Sequence, residues 1–194
     1  FNLLQVRPMA VRQGATDIPA ADLQPQRALC ISDNVLGNGV TNDIYDLIYA
    51  VPDTFAPEHT KEMATEFGAF NRHLRDQQRR CFMVGFGRWG TSDPRLGIPV
   101  SWEDISQASA LVEADREGFR VDPSSGTHFF QNITARSVGF FSLSVHQTEH
   151  HFDWPYLTSL PAINEGRFVR HVRCKKPLVM KIDGRNKTGV ILKG

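Results

Sequence analysis

The sequence predicts an α/β protein in which a mixed β-sheet is flanked by helices within a single compact domain. A helix-length stretch with one apolar stripe, residues 57–80, runs directly into the apolar strand-like segment CFMVGF at 81–86. Further apolar strand-like segments lie on both sides of this unit, and the C-terminal residues alternate between apolar and polar. Strands interleaved with helical segments are typical of a mixed α/β sheet domain.

The helix predicted at 57–80 has the clearest pattern. Its large apolar residues are four, three and four positions apart and therefore share one face of a helix. Proline at Pro57 suits the first helical turn, and the cations of RDQQRR lie near the C-terminus, where the helix dipole favours positive charge. The stripe consists of Met63, Phe67, Phe70 and Leu74.

The remaining elements are predicted from local pattern and turn chemistry. Short apolar or alternating segments that end at turn residues are predicted as strands. Proline and clusters of turn residues mark loops and short helical turns. The predicted strands are RALCIS, DIYDLIYA, CFMVGF, SALVEA, VGFFSLSV, RFVRHVRC and LVMKIDGRNKTGVILKG, the last with a final hairpin. NVLGNGVTN is predicted as a loop, WEDISQA as a helical turn, GTHFFQNITARS as helix or turn, and WPYLTSL as a short helix.

Composition is that of an ordinary globular protein. Of the 194 residues, 41% are hydrophobic and 22% are charged, and the formal net charge is +1. This charge gives no reason to expect nucleic acid or an anionic membrane as a partner. No stretch is long and apolar enough to cross a bilayer, and three scattered cysteines are typical of reduced thiols in a cytosol. We therefore expect a cytoplasmic protein without nucleic-acid or membrane partners.

The segment VDPSSGTHFFQN, residues 121–132, places hydroxyl side chains and a glycine directly before two phenylalanines. Two interpretations stay open. The hydroxyl groups could cap an ordinary helix, or they could join backbone N–H groups in binding an anion. The anion-binding candidates in this segment are Ser124, Ser125, Gly126 and Thr127.

The segment GFGRWGTSDPRLGIPVSW, residues 85–102, follows a predicted buried strand, the position at which open α/β sheets place ligand loops. Its start matches G-x-G-x-x-G, but prolines interrupt any following helix, so a dinucleotide site is excluded. A glycine-rich loop with two guanidinium groups is suited to a phosphate or carboxylate. In the alternative interpretation the loop is structural, Arg88 pairs with Asp93, and Trp89 fills a gap in the core. The anion-binding candidates are Arg88, Ser92 and Arg95.

The two loops would form one site if they meet in space. Strands that end on the same side of a sheet would bring them together, and Arg88 would then face the hydroxyl groups of the second loop. His128 could stabilise charge there or shuttle a proton. His128 and Arg88 are therefore the candidate catalytic residues.

A third polar segment, HQTEHHF, concentrates histidines after a predicted strand. His146 and His150 are four positions apart, a spacing that can bind a metal from one helical face, but the HExxH order is absent. We predict a solvated polar loop and no metal site. The nucleophile motif GxSxG does not occur in the chain.

The chain begins without methionine and within a strand-like run, FNLLQVRPMAV, which suggests a piece of a longer protein. Residues 13–26 are rich in proline, glutamine and alanine, as a linker or surface excursion would be. We expect residues 1–12 to be the end of a preceding domain, 13–26 a linker, and 27–194 a C-terminal α/β domain.

The opening LLQVRPM resembles the closing strand of the ATP-grasp nucleotide-binding domain in phosphoenolpyruvate synthase and pyruvate phosphate dikinase. In that family a Gln-x-Arg-Pro run ends the domain, and its Gln and Arg line the nucleotide phosphate site. These positions match Gln5 and Arg7. The later segments are similar to the C-terminal region of a long phosphoenolpyruvate synthase-like subgroup of Bacteroidetes-type bacteria. They are LGNG, GRWGTSDPRLGIPV, DPSSGTHFFQN and FVRHVR.

The resemblance implies a parent protein that uses ATP and magnesium to transfer a phosphoryl group toward an organic acid. The partner of this chain would be the N-terminal ATP-grasp domain of the same protein. The Thr-Cys-His phosphohistidine signature is not present in the sequence, so His128 is not assigned as a phosphorylated histidine. We expect the chain alone to hold no cofactor and to be inactive.

Three functional hypotheses follow. The first is a C-terminal piece of a phosphoenolpyruvate synthase-like phosphotransferase with a cleft for phosphate or another small anion. The second is a non-catalytic regulatory or assembly module, whose glycine loops are architectural. A homodimer through the strand at residues 2–8 is possible, because a strand with free edges tends to pair. The third is an independent small enzyme built around His128 and Arg88.

Overall fold

The fold is built on one curled β-sheet. The computed structural model describes residues 16–122, 129, 133 and 136–194 of the chain. Ten strands form this mixed sheet in the order β2-β8-β7-β4-β3-β11-β12-β1-β9, with β10 also paired to β11; β5 and β6 form a separate parallel pair. The predicted α/β class is confirmed. The strands are β1 Ala28–Ser32, β2 Val35–Leu36, β3 Gly39–Ala50, β4 Cys81–Phe86, β5 Arg88–Trp89, β6 Gly97–Ile98, β7 Ala108–Ala114, β8 Gly139–Leu143, β9 His151–Phe152, β10 Ala162–Glu165, β11 Val169–Asp183 and β12 Thr188–Leu192. The α-helices in the described part are α1 Thr60–Asp76 and α2 Trp154–Ser159, and short 3₁₀ helices cover Pro52–Thr54, Pro57–His59 and Pro94–Leu96.

Four parallel strands form the centre of the sheet. Strands β3, β4, β7 and β8 are neighbours in chain order, and every residue of β4 and β8 is buried. Parallel strands are covered on both faces, which explains why these segments read as continuous apolar runs in the sequence. Because the four strands run in one direction, their carboxyl ends share one edge of the sheet.

The sheet is curled, because β2 at one end of the strand order and β1, next to the strand at the other end, are separated by only two residues. Strand β1 pairs with β12, whereas β2 pairs with β8. The hydroxyl of Ser32 donates to the carbonyl oxygen of Ser142 at 2.6 Å, and the Ser142 N–H donates to the Asn34 carbonyl oxygen at 2.9 Å. These bonds hold the two ends of the sheet close to each other.

Helix α1 lies against the sheet through the predicted apolar stripe. Met63, Phe67 and Leu74 are fully buried, and Phe70 is partly buried. Within this face Asn71 is also buried; its amide nitrogen donates to the Glu103 carbonyl oxygen at 2.8 Å, and its amide oxygen accepts from the Gln107 N–H at 2.8 Å. Helix α1 thereby fixes the end of the loop that leads from β6 to β7.

Two segments differ from their predictions. NVLGNGVTN is not a loop, because it contains β2 and the start of β3, with Gly37 and Gly39 at φ of +119° and +120°. These glycines allow a corner between two strands that other residues would resist. The two segments RFVRHVRC and LVMKIDG lie in one strand, β11, whose pairing register with β3 shifts between Arg173 and Leu178. Pro177 lies at this shift, since proline cannot donate to a strand ladder.

The segment predicted as a linker or surface excursion is described from residue 16 onward. Ile18 and Leu23 pack against a small buried cluster that includes Val190. Asp22 forms ion pairs with Arg27 at 3.1 Å and with Lys181 at 2.7 Å. These residues are therefore attached to the sheet. Residues 1–12 lie outside the described residues. Among the helices of the described part, none combines the length and apolar character that crossing a membrane requires.

Candidate functional site

The candidate site lies at the carboxyl edge of the parallel strands. The loop after β4 contains the predicted Arg88 segment, and the chain after β7 leads into the predicted Ser-Ser-Gly-Thr segment. Because β4 and β7 are adjacent and parallel, both connections leave the sheet at the same edge. This edge is where open α/β sheets bind ligands.

Arg88 is half-buried at this edge. Its Nε donates to the backbone carbonyl oxygen of Asp122 at 2.7 Å, which joins the two predicted loops. Within residues 16–122, 129, 133 and 136–194, neither terminal nitrogen of Arg88 has a hydrogen-bond partner, and no carboxylate pairs with it. Those terminal nitrogens are donors of the type that bind phosphate or carboxylate oxygens.

The alternative interpretation, a purely structural loop, is correct for Trp89 and wrong for Arg88. Arg88 does not pair with Asp93, because Asp93 forms an ion pair with Arg95 at 2.9 Å and caps the 3₁₀ turn by accepting from the Arg95 N–H at 3.0 Å. The hydrogen bonds from Arg95 hold the pKa of the Asp93 carboxyl below its usual value. Arg95 is thus neutralised at the surface, and Ser92 is exposed. Of the three anion-binding candidates in this loop, Arg88 alone combines partial burial with uncommitted donors.

Trp89 fills the core, as that interpretation predicts. It is 1% exposed, and its indole N–H donates to the Val112 carbonyl oxygen at 3.1 Å. The Trp89 backbone N–H donates to the carboxylate of Glu113 at 3.0 Å. Glu113 is buried near the end of β7, so a carboxylate fixes the peptide next to Arg88. Sequence reasoning missed Glu113; the available signal was an acidic residue inside the apolar segment SALVEA.

Described residues on both sides of 123–128 contact the first loop. On one side, Phe119 lies against Gly87; on the other, Phe129 lies against Gly90. The Phe129 ring also stacks on Trp102, with 4.5 Å between ring centroids and 14° between planes. The 85–102 loop therefore contacts the chain just before and just after residues 123–128. The predicted site residues Ser124, Ser125, Gly126, Thr127 and His128 lie outside the described residues, as do Gln5 and Arg7.

Arg116 is a second cation at this edge that sequence reasoning did not select. Its guanidinium donates to the Pro52 carbonyl oxygen at 2.6 Å and lies 5.9 Å from the centroid of the Phe86 ring. The connection after β7 is thereby tied to the ends of β3 and β4. Arg116 therefore has a structural role at this edge.

The histidine segment is not simply solvated. His150 Nδ1 accepts a hydrogen bond from the Ser144 backbone N–H at 2.8 Å, so Nε2 carries the proton shared with Asp33 at 2.6 Å. The His150 side chain is 4% exposed, which differs from the predicted solvated loop, whereas His146 is exposed. Among the residues that the structure describes, no group of three or more His, Cys, Asp or Glu side chains could hold a metal ion.

Comparison with known proteins identifies no relative. No family model matches the sequence, no curated protein is significantly similar to it, and no solved structure matches the fold significantly. The phosphoenolpyruvate synthase-like resemblance therefore stays a prediction that rests on the sequence motifs.

Proposed function

We propose that this chain binds a small phosphorylated or carboxylate anion at the carboxyl edge of β4 and β7, as part of a phosphoenolpyruvate synthase-like ATP-dependent phosphotransferase. Arg88 is the residue that would bind the anion. The single observation that carries the proposal is the guanidinium of Arg88, which is held by one backbone carbonyl and has no paired carboxylate in the described part of the chain.

Arg88 is fixed in a way that suits binding. The Nε bond to Asp122 orients the guanidinium and leaves its terminal nitrogens for a ligand. The neighbouring peptide is fixed by Glu113 and by the buried Trp89 ring. A pre-oriented cation loses little conformational entropy on binding, so its charge-assisted hydrogen bonds contribute more to affinity.

The absence of a paired carboxylate also argues against a purely architectural role for Arg88. Arg95 shows that an acidic residue in the same loop can pair with a guanidinium, and in the described part of the chain none does so with Arg88. In phosphoryl transfer, such cations hold phosphate oxygens and stabilise developing charge. ATP and magnesium would be bound by the ATP-grasp part of the parent protein, with Gln5 and Arg7 as contributors by resemblance. We therefore propose that this chain alone does not turn over ATP, because two phosphate contacts cannot position a nucleotide.

The experiment is a titration of the purified chain with inorganic phosphate, followed by NMR, at low ionic strength. Arg88→Gln should weaken binding about 10- to 100-fold, the range expected for loss of charge-assisted hydrogen bonds. Arg95→Gln is the matched control in the same loop, and it should leave binding nearly unchanged because Asp93 already occupies that guanidinium.

The outcomes separate the proposed function from its alternative. Equal phosphate affinity in the Arg88 variant and the wild type, or no binding in either, would rule out an anion site at Arg88. The non-catalytic regulatory or assembly module would then be the better description of the domain.

A further inference from the structure

A cavity lies between helix α1 and the loop that leads from β6 to β7. Its volume is about 450 Å³, which is within the range of small-molecule binding sites. Arg88 does not line it, so this cavity is separate from the candidate anion site. The lining residues are Lys61, Ala64, Thr65 and Arg72 on the helix, and Pro99 and Asp104 on the loop.

Buried side chains hold the two walls of the cavity in place. Before the lining part of the helix, the hydroxyl of Thr60, which is fully buried, donates to the Pro94 carbonyl oxygen at 2.8 Å. Towards the other end of the helix, the buried Asn71 bonds to the backbone of Glu103 and Gln107. The spacing between helix and loop is therefore set by the fold, and a ligand would enter a cavity that is already formed.

Two opposite charges line this cavity side by side without forming an ion pair. A Cβ at Gly68 would lie 3.3 Å from Arg72 Nη1 and 2.6 Å from Asp104 Oδ1, so both groups lie next to the same glycine. Asp104 Oδ2 accepts from the N–H of Ser101 at 2.9 Å and from its hydroxyl at 2.7 Å. Oδ1 is thus the carboxylate oxygen left for a ligand. In the described part of the chain, neither Arg72 nor Lys61 pairs with a carboxylate.

Lys61 adds a second positive charge to the same cavity. On helix α1, Lys61, Thr65, Gly68 and Arg72 are four, three and four positions apart, so they lie on one face. The lining therefore carries two positive charges and one negative charge. A ligand with two negative charges and one positive charge would complement it.

A ligand with an ammonium and a carboxylate on the same carbon matches the arrangement at Gly68. Its carboxylate would accept from the guanidinium of Arg72, which can form two parallel hydrogen bonds with such a group. Its ammonium would donate to Asp104 Oδ1. Both protein charges would then gain the counter-charge that neither has in the described part of the chain.

We propose that this cavity binds a small α-amino acid with an acidic side chain. Arg72 binds the α-carboxylate, Asp104 binds the α-ammonium, and Lys61 interacts with the side-chain carboxylate. This site goes beyond the proposed function, because it uses none of the residues that would bind an anion at the carboxyl edge of the sheet.

The test compares L-glutamate with two analogues that each lack one charge, by ¹H–¹⁵N NMR titration of the purified chain. Glutarate lacks the α-ammonium and should bind about tenfold more weakly, the effect of losing one charge-assisted hydrogen bond. L-Glutamine lacks the side-chain carboxylate and should bind about threefold more weakly, because Lys61 is exposed and water screens its charge. The backbone signals of Thr65 and Asp104 should shift during the L-glutamate titration.

Variants connect each charge with one part of the ligand. Arg72→Gln should weaken L-glutamate binding about 10- to 100-fold. Asp104→Asn should reduce the preference for L-glutamate over glutarate to less than about threefold, while its amide oxygen can still accept from Ser101. Arg75→Gln is the matched control on the same helix. Arg75 does not line the cavity and lies 4.0 Å from Glu103, so this variant should leave binding unchanged.

Four results would overturn the proposal. Two use the wild-type chain and do not depend on the folding of a variant: no binding of L-glutamate, or equal affinity for L-glutamate and glutarate. The third is unchanged L-glutamate affinity in Arg72→Gln. The fourth is loss of L-glutamate binding in Arg88→Gln, which would place the ligand at the anion site. None of the first three bears on phosphate binding by Arg88, so the two proposals fail separately.

Discussion

Glu66, on helix α1, accepts a hydrogen bond from the backbone N–H of Val169, the first residue of β11, at 2.8 Å. The same carboxylate accepts from the N–H groups of Phe168 and Arg167, both at 3.0 Å. One side chain therefore satisfies three consecutive backbone donors in the turn between β10 and β11, and it attaches α1 to the strand that pairs with β3. A Cβ at Gly166 would lie 2.3 Å from this carboxylate, so the turn needs glycine at that position.

Glu66→Gln should lower the free energy of unfolding by about 1–3 kcal/mol, because an amide offers one acceptor oxygen in place of two and carries no charge. Urea denaturation followed by circular dichroism measures the change. Glu62→Gln, on the same helix, is the control: its side chain is 57% exposed and its nearest cation is His59 at 3.8 Å, so no measurable change is expected. Equal stability of the two variants would show that the Glu66 bonds do not hold the turn.

Asp46→Asn should be among the most destabilising single substitutions in the chain. The Asp46 carboxylate is 2% exposed and binds Arg79, Arg173 at 2.7 Å and His171 at 2.8 Å. Asn164 occupies the other ring nitrogen of His171 at 3.0 Å, so the imidazole donates to Asp46. Removal of the one anion in this group leaves two guanidiniums without a counter-charge, and we expect a loss of about 3 kcal/mol in unfolding free energy.

The control for Asp46 is Asp93→Asn, which breaks an ion pair at the surface. Arg95, the partner of Asp93, has an 84% exposed side chain, so water replaces the interaction and the urea midpoint should hardly change. A similar midpoint for both variants would contradict a supporting role for the Asp46 group.

Tyr156 should make the fold sensitive to high pH. Burial, aided by the contact with Cys174, raises the pKa of Tyr156 to about 12 from its ordinary value of 10. A phenol with a raised pKa holds its proton more tightly in the folded state, so its contribution is fully present below pH 10 and is lost as the pH rises from 10 toward 12.

The measurement is an absorbance titration of tyrosine ionisation together with thermal unfolding between pH 9 and 12. Tyr156→Phe should remove one absorbance step with a midpoint near 12 and reduce the fall in stability over that interval. A variant that loses stability at the same rate as the wild type would assign the alkaline sensitivity to another group.

Local pattern was sufficient for most of the fold. The stripe on α1 and the apolar segments at β4, β7 and β8 were predictable because each needs only its own residues to signal burial. Both candidate loops lie at one edge because they follow parallel strands, and loops at the carboxyl ends of parallel strands share an edge of the sheet whatever their residues are.

The parts that could not be predicted depend on residues far apart in the sequence. Nothing near Glu66 in the sequence indicates a turn one hundred residues later, and nothing near Ser32 indicates that Ser142 will join the ends of the sheet. The interpretation that Arg88 pairs with Asp93 was wrong for a different reason. Arg88 and Arg95 both lie close to Asp93 in the sequence, but the 3₁₀ turn that Asp93 caps brings Arg95 within hydrogen-bond distance of the carboxylate.

Gly90→Ala should disturb the contact between the two loops more than backbone strain alone can explain. Gly90 has a φ of +66°, and a Cβ there would lie 2.1 Å from the Phe129 ring, so alanine adds a collision to an unfavourable backbone conformation. Gly118 is a matched control, with a φ of +79° and no atom within 4 Å of an added Cβ. Gly118→Ala should cost about 1 kcal/mol of unfolding free energy from strain, and Gly90→Ala about 2–4 kcal/mol.

Displacement of Phe129 in the Gly90 variant should also unstack Trp102. Near-ultraviolet circular dichroism should detect this change in the Gly90 variant and not in the Gly118 variant. Equal costs and unchanged aromatic spectra in both variants would show that Phe129 does not join these loops in solution.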